Sequence, residues 1–320
     1  MNYANGVLIA NLLSFDSDLA VDWTALAEHT RRLKDIESVR GFVVNAYAGE
    51  GPTLTEAERN RVIAVHREIA NSDQPVVAAI LDLSTAGAVA QARAAKAAGA
   101  DALLICPPVV SGWDASASPH IAIEYHKAIA SAVDLPLIVF QLSIGDPTAY
   151  SHELLMRLID EVDTVFAVKM AQANDAVRYD RDLIGLRNAG RPILALPAVG
   201  GSMFHGLNTG ADGILTGLAT FAPYEITGML RASQQGDFAR AREIHFQLAP
   251  MNHMIYGHPY VDLHTRYKEL AFMAGAIPSP AVRGPQVRVS DAEREALRRV
   301  LMAARLRELP QETHRARKVA

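Results

Sequence analysis

The chain has 320 residues, 50% hydrophobic and 21% charged, enough apolar material for one large core or two modest ones and no signature of disorder. A net charge of −4 and a pI near 6.3 exclude a chain-wide positive field of the kind that holds nucleic acid or an anionic membrane. The single cysteine, Cys106, excludes an internal disulfide and a cysteine-based zinc framework, and fits a reducing, cytoplasmic setting.

The first residues, MNYANGVLIANLLSFDSD, carry a short apolar run with no basic residue before it and acidic ones after it, unlike a secretory signal. They are expected to belong to the mature protein. From there, short apolar runs alternate with longer amphipathic ones. Strands are predicted at residues 6–12, 41–45, 75–81, 102–106, 135–140, 164–169, 192–196 and 213–216. A helical pattern follows each one, at 23–33, 55–70, 84–98, 119–130, 152–159, 174–188, 202–208 and 223–232. Thr55 and Glu58 make a capping box, Glu56 adds first-turn charge, and Gly99, Gly190 and Gly210 lie just past helix ends. The apolar stretch at 102–110 is broken by two prolines and is about half of the ~20 residues a membrane span needs.

Eight strand–helix units joined by short loops predict an α/β fold, a (β/α)8 TIM barrel, over residues 1–235. An open, doubly wound sheet is the alternative. Helical patterns at 238–254, 261–275 and 291–306 predict a C-terminal helical extension over 236–308, packed on the barrel, with a polar, solvated tail at 309–320.

The stretch VFAVKMAQAN, at 165–174, sets a lysine after four apolar residues at the end of the sixth strand. In a barrel, side chains at C-terminal strand ends point into the mouth where active sites are built. The other five lysines, Lys34, Lys96, Lys127, Lys268 and Lys318, fall in helical or tail segments with solvent-facing options, so Lys169 is the one expected to be forced inward. Burial disfavours its charge and lowers its pKa, which makes a nucleophilic amine able to condense with a ketone. A lysine paired with a barrel carboxylate, or reaching out of the mouth, is the competing reading.

These residues resemble the dihydrodipicolinate synthase / N-acetylneuraminate lyase superfamily of Schiff-base aldolases and dehydratases. VFAVKMAQAN is similar to its strand-six segment, NAYAGEGPTLTEAER occupies the place of its Gly-Thr-Thr-Gly-Glu loop, and GADALLICPP, GADGILTG, GDFARAREIHFQL and RYKELAFMAGAIPSPAVRGPQ are similar as well. The resemblance implies a barrel with a helical extension, a homotetramer (dimer of dimers) that acts on a 2-oxo acid such as pyruvate, and no metal or organic cofactor. It makes Lys169 the Schiff-base lysine, with Tyr47, Ala48 and Gly49 in the Thr-Thr-Gly positions that hold the substrate carboxylate. It also places Gly200 and Ile214 among residues that line the substrate.

The departures narrow the reaction. The strand-five tyrosine is replaced by Phe140 in LIVFQLS, the paired threonine hydroxyls by Tyr47 and Ala48, and the interface tyrosine after strand four by Pro108 and Val109. Tyr47 is expected to supply the relocated acid/base and Gln141 a substrate contact, while an aromatic wall of Tyr47 on Phe140 is the plainer alternative. The mid-barrel arginine for a second carboxylate is replaced by Ile144, Gly145 and Asp146. These changes point away from the lysine-pathway condensation. They favour an aldolase or hydratase-aldolase on a 2-oxo acid with an aldehyde partner, with a 2-keto-3-deoxy sugar acid dehydratase and a non-catalytic metabolite-binding barrel as alternatives.

Other constellations are weaker. His245, His253, His258 and His264 spread over several helix faces, which argues against a metal site. VGGSMFHG, at 199–206, offers amides at a helix start, but no complete nucleotide-binding or serine-hydrolase motif accompanies it. Glu50 is read as a structural loop residue and Glu56 and Glu58 as helix-start residues.

Overall fold

The computed structural model describes residues 3–108, 117–143, 148–172 and 175–310. Its strands are β1 (Val7–Ala10), β2 (Val39–Val44), β3 (Val76–Ile80), β4 (Ala102–Ile105), β5 (Leu137–Gln141), β6 (Val165–Met170), β7 (Leu194–Pro197) and β8 (Ile214–Thr216). All pair in parallel in chain order from β1 to β7, and β8 pairs β1. At the seam between β7 and β8, the Asp212 amide donates to the Ala195 carbonyl at 3.0 Å and the Ala195 amide donates to the Asp212 carboxylate at 2.7 Å. The sheet is therefore a (β/α)8 barrel and not an open, doubly wound one.

The outer layer is α1 (Trp23–Lys34), α2 (Glu56–Ile69), α3 (Thr85–Ala97), α4 (Pro119–Ala132), α5 (His152–Glu161), α6 (Ala176–Arg187), α7 (Gly200–Asn208) and α8 (Pro223–Gln234). Short polar side chains set where these helices begin: Asp22, Ser84 and Ser151 each accept from a first-turn amide, and Thr55 and Glu58 form the reciprocal capping box. Gly99 and Gly210 take φ of 100° and 104° just past α3 and α7, a left-handed turn that a Cβ would strain. The extension adds α9 (Phe238–Ile255), α10 (Leu263–Met273) and α11 (Asp291–Ala304). Ile244, Leu248, Leu270 and Leu297 of these helices belong to the same buried cluster as the barrel's outward-facing strand residues, so barrel and extension share one core.

A parallel strand covered on both faces is apolar on both, which explains why the run before Lys169 shows no alternation. Along β6, Val168 and Met170 pack outward against the helices, while Ala167 packs in the barrel interior with Leu8, Val43, Leu104 and Leu196. The β5–β6 register shifts by one residue at Leu137/Ile138 and passes over Phe166, whose ring lies 4.6 Å from that of Tyr3. Such a slip exchanges the two faces of a strand. After it, Phe140 and Lys169 stand side by side, both turned inward at the C-terminal end of the barrel.

Candidate active site

Lys169 opens into a cavity of about 530 Å³ at this end of the barrel. Room for it comes from small residues where the strands end, among them Ala10, Ala48, Ala171 and Ala198. Lys169 is 9% exposed and makes no ion pair among the described residues. Its nearest electrostatic support is the face of Phe140, with Nζ 3.9 Å from the ring centre. Burial lowers its pKa from the ordinary lysine range to about 8, against a weaker opposing influence from the Cys106 thiol. Cys106 itself is fully buried, and burial pushes its thiol up to about 12, so it rests as a neutral thiol.

The extension roofs the cavity. Tyr256 at the end of α9, Tyr260 in the following turn, and His264 and Tyr267 on α10 all line it. His264 stacks on Tyr47 at 5.9 Å between ring centres, and Tyr47 lies tilted against Phe140 at 6.3 Å. Burial, with the Lys169 charge as a second cause, lowers the His264 pKa to about 4, so its imidazole is neutral near pH 7. The roof is anchored by charge: Lys268 Nζ donates to the Glu50 carboxylate at 2.5 Å, and the Arg283 guanidinium holds Glu58 at 2.7 Å. Arg283 also donates its amide to Glu50 at 3.1 Å.

Lys169, Tyr47, Ala48 and Phe140 come together in this cavity. Gly49 stands one residue back, where a Cβ would sit 2.9 Å from the Asn11 carbonyl; its role is to let the β2 loop close onto β1. Gly200 is at the edge: a Cβ there would collide with the Asn252 side chain at 2.3 Å, and its backbone meets the Tyr256 hydroxyl. Two expectations are corrected. Gln141 faces outward because Phe140 beside it faces inward; its amide donates to the Tyr150 carbonyl at 2.9 Å and to Asp182 at 3.1 Å, away from the cavity. Ile214 is fully buried at the start of β8 in the outward-facing layer, and Leu215, Thr216 and Gly217 line the cavity in its place. A third correction concerns Lys268, which is fully buried and not turned to solvent.

Pro108 is described, but Val109, Ile144, Gly145 and Asp146 lie outside the described residues. The histidines do not converge: His245 stacks on Phe204 at 5.0 Å while His264 is in the mouth, and no group of three or more His, Cys, Asp or Glu among the described residues is placed to hold a metal. A larger hollow of about 1020 Å³ lies between α5 and α6 on the outer layer, lined by His152, Asp180 and Arg181 among others, but the buried amine is not there. Sequence reasoning missed Tyr256, Tyr260 and Tyr267. Their signal in the sequence is the density of rings in MIYGHPYVDLHTRY.

The model of the dihydrodipicolinate synthetase family matches residues 3–304. The chain belongs to that family. Among curated relatives, it is 29% identical over 295 residues to an uncharacterized DapA-like lyase of Halobacterium salinarum, covering 92% of this chain and 91% of that one. It is also 29% identical to the 4-hydroxy-tetrahydrodipicolinate synthase of Methanopyrus kandleri over 303 residues, covering 92% and 95%. Among solved structures, the dihydrodipicolinate synthase from Aquifex aeolicus superposes with a TM-score of 0.82 at 25% identity, covering 97% of this chain and 100% of that one. The Thermotoga maritima dihydrodipicolinate synthase shares the fold, with a TM-score of 0.84 at 22% identity over 95% and 99% of the two chains. The chain is a lyase of this family.

Proposed function

We propose that the protein forms an iminium between Lys169 and a 2-oxo acid of the pyruvate type, and makes or breaks a bond at the adjacent carbon as an aldolase or hydratase-aldolase. The observation that carries this reading is a buried amine, lowered to about 8, that faces a substrate-sized cavity and makes no ion pair among the described residues, the Glu50 carboxylate there being held by Lys268 and the Arg283 amide. At neutral pH a usable fraction of Lys169 is then the free amine, and the iminium it forms withdraws electrons from the neighbouring carbon. Backbone amides of Tyr47, Ala48 and Gly49 are assigned to the carboxylate of the 2-oxo acid. Phe140 and the alanines leave the other half of the cavity apolar, which suits an aldehyde or a neutral sugar acid better than a second carboxylate.

The reaction named for the Methanopyrus relative is not the favoured one, because Phe140 brings no hydroxyl to the end of β5. Tyr47 is the candidate acid/base from the β2 loop, although its contacts with Phe140 and His264 support the wall role equally. Undiminished turnover in Tyr47→Phe, with an intact Lys169 adduct, would remove it from proton transfer. The homotetramer implied by the family belongs to the same proposal, and sedimentation velocity checks it. The central test is borohydride reduction in the presence of pyruvate, followed by peptide mass analysis. A stable adduct on Lys169 is expected, and no adduct with any 2-oxo acid would overturn the enzyme reading. An adduct without turnover on a panel of aldehydes and 2-keto-3-deoxy sugar acids would point to a metabolite-binding barrel.

A further inference from the structure

Lys169 can form an iminium, but the proton traffic around that iminium needs a second group. Among the described residues lining the cavity, the carboxylate is Glu50, and both its oxygens are engaged by Lys268 and the Arg283 amide. The groups left to exchange protons are hydroxyls and the neutral His264. Three of these hydroxyls are joined. The phenols of Tyr256 and Tyr267 are hydrogen-bonded to each other, and the Thr216 hydroxyl is hydrogen-bonded to Tyr267.

The ends of this chain are fixed by donors that cannot accept. The Gly200 amide, at the start of α7, donates to the Tyr256 oxygen, and the Leu218 amide donates to Thr216 Oγ1 at 3.3 Å. An amide donor at each end leaves Tyr256 and Thr216 free to turn their own protons toward Tyr267. In that arrangement the Tyr267 oxygen accepts twice, and its own proton is available to the cavity it lines. A Cβ at Gly217 would meet the Tyr267 ring at 3.5 Å and the Ala48 Cβ at 3.4 Å, ordinary contact distances, so Gly217 lies between this ring and the β2 loop, where Ala48 carries no hydroxyl.

We propose that Tyr267, carried into the barrel mouth by the C-terminal extension, is the residue that exchanges protons with the substrate bound to Lys169, positioned by Tyr256 and Thr216. This rests on the iminium reading above. The step balances without any further reactant. The neutral Lys169 amine adds to the carbonyl carbon and gives a neutral carbinolamine. Tyr267 donates its proton to the carbinolamine oxygen, the C–O bond breaks, water leaves, and an iminium and a phenolate stand side by side. The phenolate then removes a proton from the adjacent carbon, the C–H pair becomes the C=C bond of the enamine, and the phenol is restored. The net change is amine plus 2-oxo acid to enamine plus water. Burial holds the resting phenol protonated by raising its pKa, while the two hydrogen bonds into its oxygen and the neighbouring iminium stabilise the transient phenolate.

The test uses the full-length protein with pyruvate as probe and reads two quantities. One is the borohydride adduct on Lys169, and the other is exchange of the pyruvate methyl protons for deuterium, followed by NMR in deuterated water. Tyr267→Phe should still yield the adduct, while methyl exchange falls by about 100-fold or more, the range expected for loss of a general acid/base. Tyr256→Phe and Thr216→Val should each cut exchange by roughly 10-fold and move its pH profile to higher pH, with Thr216→Ser restoring both. Should Tyr267→Phe fold poorly, difluorotyrosine incorporated at Tyr267 keeps the ring and lowers the phenol pKa, and the exchange profile should move to lower pH.

Wild-type exchange in Tyr267→Phe with the adduct intact would overturn this assignment alone. So would a profile unmoved by the fluorinated residue, or a loss of exchange confined to Tyr47→Phe or His264→Gln. Absence of the adduct in the unmodified protein would instead overturn the Lys169 reading, and this proposal with it.

Discussion

Two lysines are buried around the barrel mouth, Lys169 on β6 at 9% exposure and Lys268 on α10 at 0%. Lys268 meets the Glu50 carboxylate at 2.5 Å, the Ala281 carbonyl, and the Phe15 ring at 4.0 Å. Burial lowers its pKa and Glu50 raises it, so the ammonium is held in place as a strut between the extension and the β2 loop. Lys169 has an aromatic face and, among the described residues, no carboxylate paired with it. The contrast teaches that burial by itself does not make a lysine reactive. What distinguishes Lys169 is that none of the described residues pairs its charge with a carboxylate and that space for a ligand lies in front of it.

The largest effect expected from breaking this contrast is at Lys169. Lys169→Ala should abolish the borohydride adduct and reduce turnover by at least about a thousandfold, because no other group supplies the covalent bond. The fold should survive, since the variant removes a charge that the native state buries without compensation; thermal melting at pH 7 checks this. At Lys268 the sign reverses. Glu50→Gln leaves a buried, unpaired ammonium and should cost about 3–5 kcal/mol in urea unfolding, whereas replacing both partners by apolar residues, Glu50→Leu with Lys268→Met, should recover much of the loss.

The third expectation concerns pH. Reaction of the free enzyme with a 2-oxo acid should rise with pH, reach half its maximum near 8 and level off above that, as Lys169 loses its proton. The same shift bears on stability. Because the folded-state pKa is lowered, between about 8 and the ordinary lysine value of 10.5 the unfolded chain holds the proton that the folded chain has released. Stability therefore gains from this group as pH rises through that window, and below it the full penalty of about 3 kcal/mol is present. Unfolding of Lys169→Ala should lack that slope, and parallel urea titrations of both proteins at several pH values would expose its persistence. The smallest effect is at Phe140. Phe140→Leu removes a cation–π contact worth about 0.5–2 kcal/mol, destabilises the ammonium, and should move the rise in rate to lower pH by about 0.4–1.5 units.

Lys169 was legible because a strand buried on both faces leaves a long side chain at its end one place to go, and the sequence shows that strand as an unbroken apolar run. The barrel was legible for a related reason: eight such runs alternate with helical patterns whose caps, such as Thr55 and Glu58, are local. Lys268 was not legible, because its burial depends on Glu50, which lies 218 residues away in the chain. In LHTRYKELAFM it reads as an ordinary surface lysine. Gln141 failed differently. Period two along β5 already implied that a neighbour of an inward Phe140 faces outward, and the expected contact ignored that rule. Tyr267 was hidden because its reach into the mouth is a property of how α10 sits on the barrel, with Gly217 bare beneath its ring.

The roof made by the extension also orders events during synthesis. A ribosome completes β6, and Lys169 with it, before it reaches Tyr256 or Tyr267, and also before it makes Lys268 and Arg283, which fasten α10 and the segment after it to Glu50 and Glu58. Until those residues emerge, the nascent barrel carries its amine in an unroofed mouth, with Tyr47 the one of the cavity's described phenols already made. The lining that Tyr256, Tyr260, His264 and Tyr267 give the cavity is thus added only as the end of the chain is made, so a polypeptide that stops before α10 has the buried amine of β6 but not the roof over it.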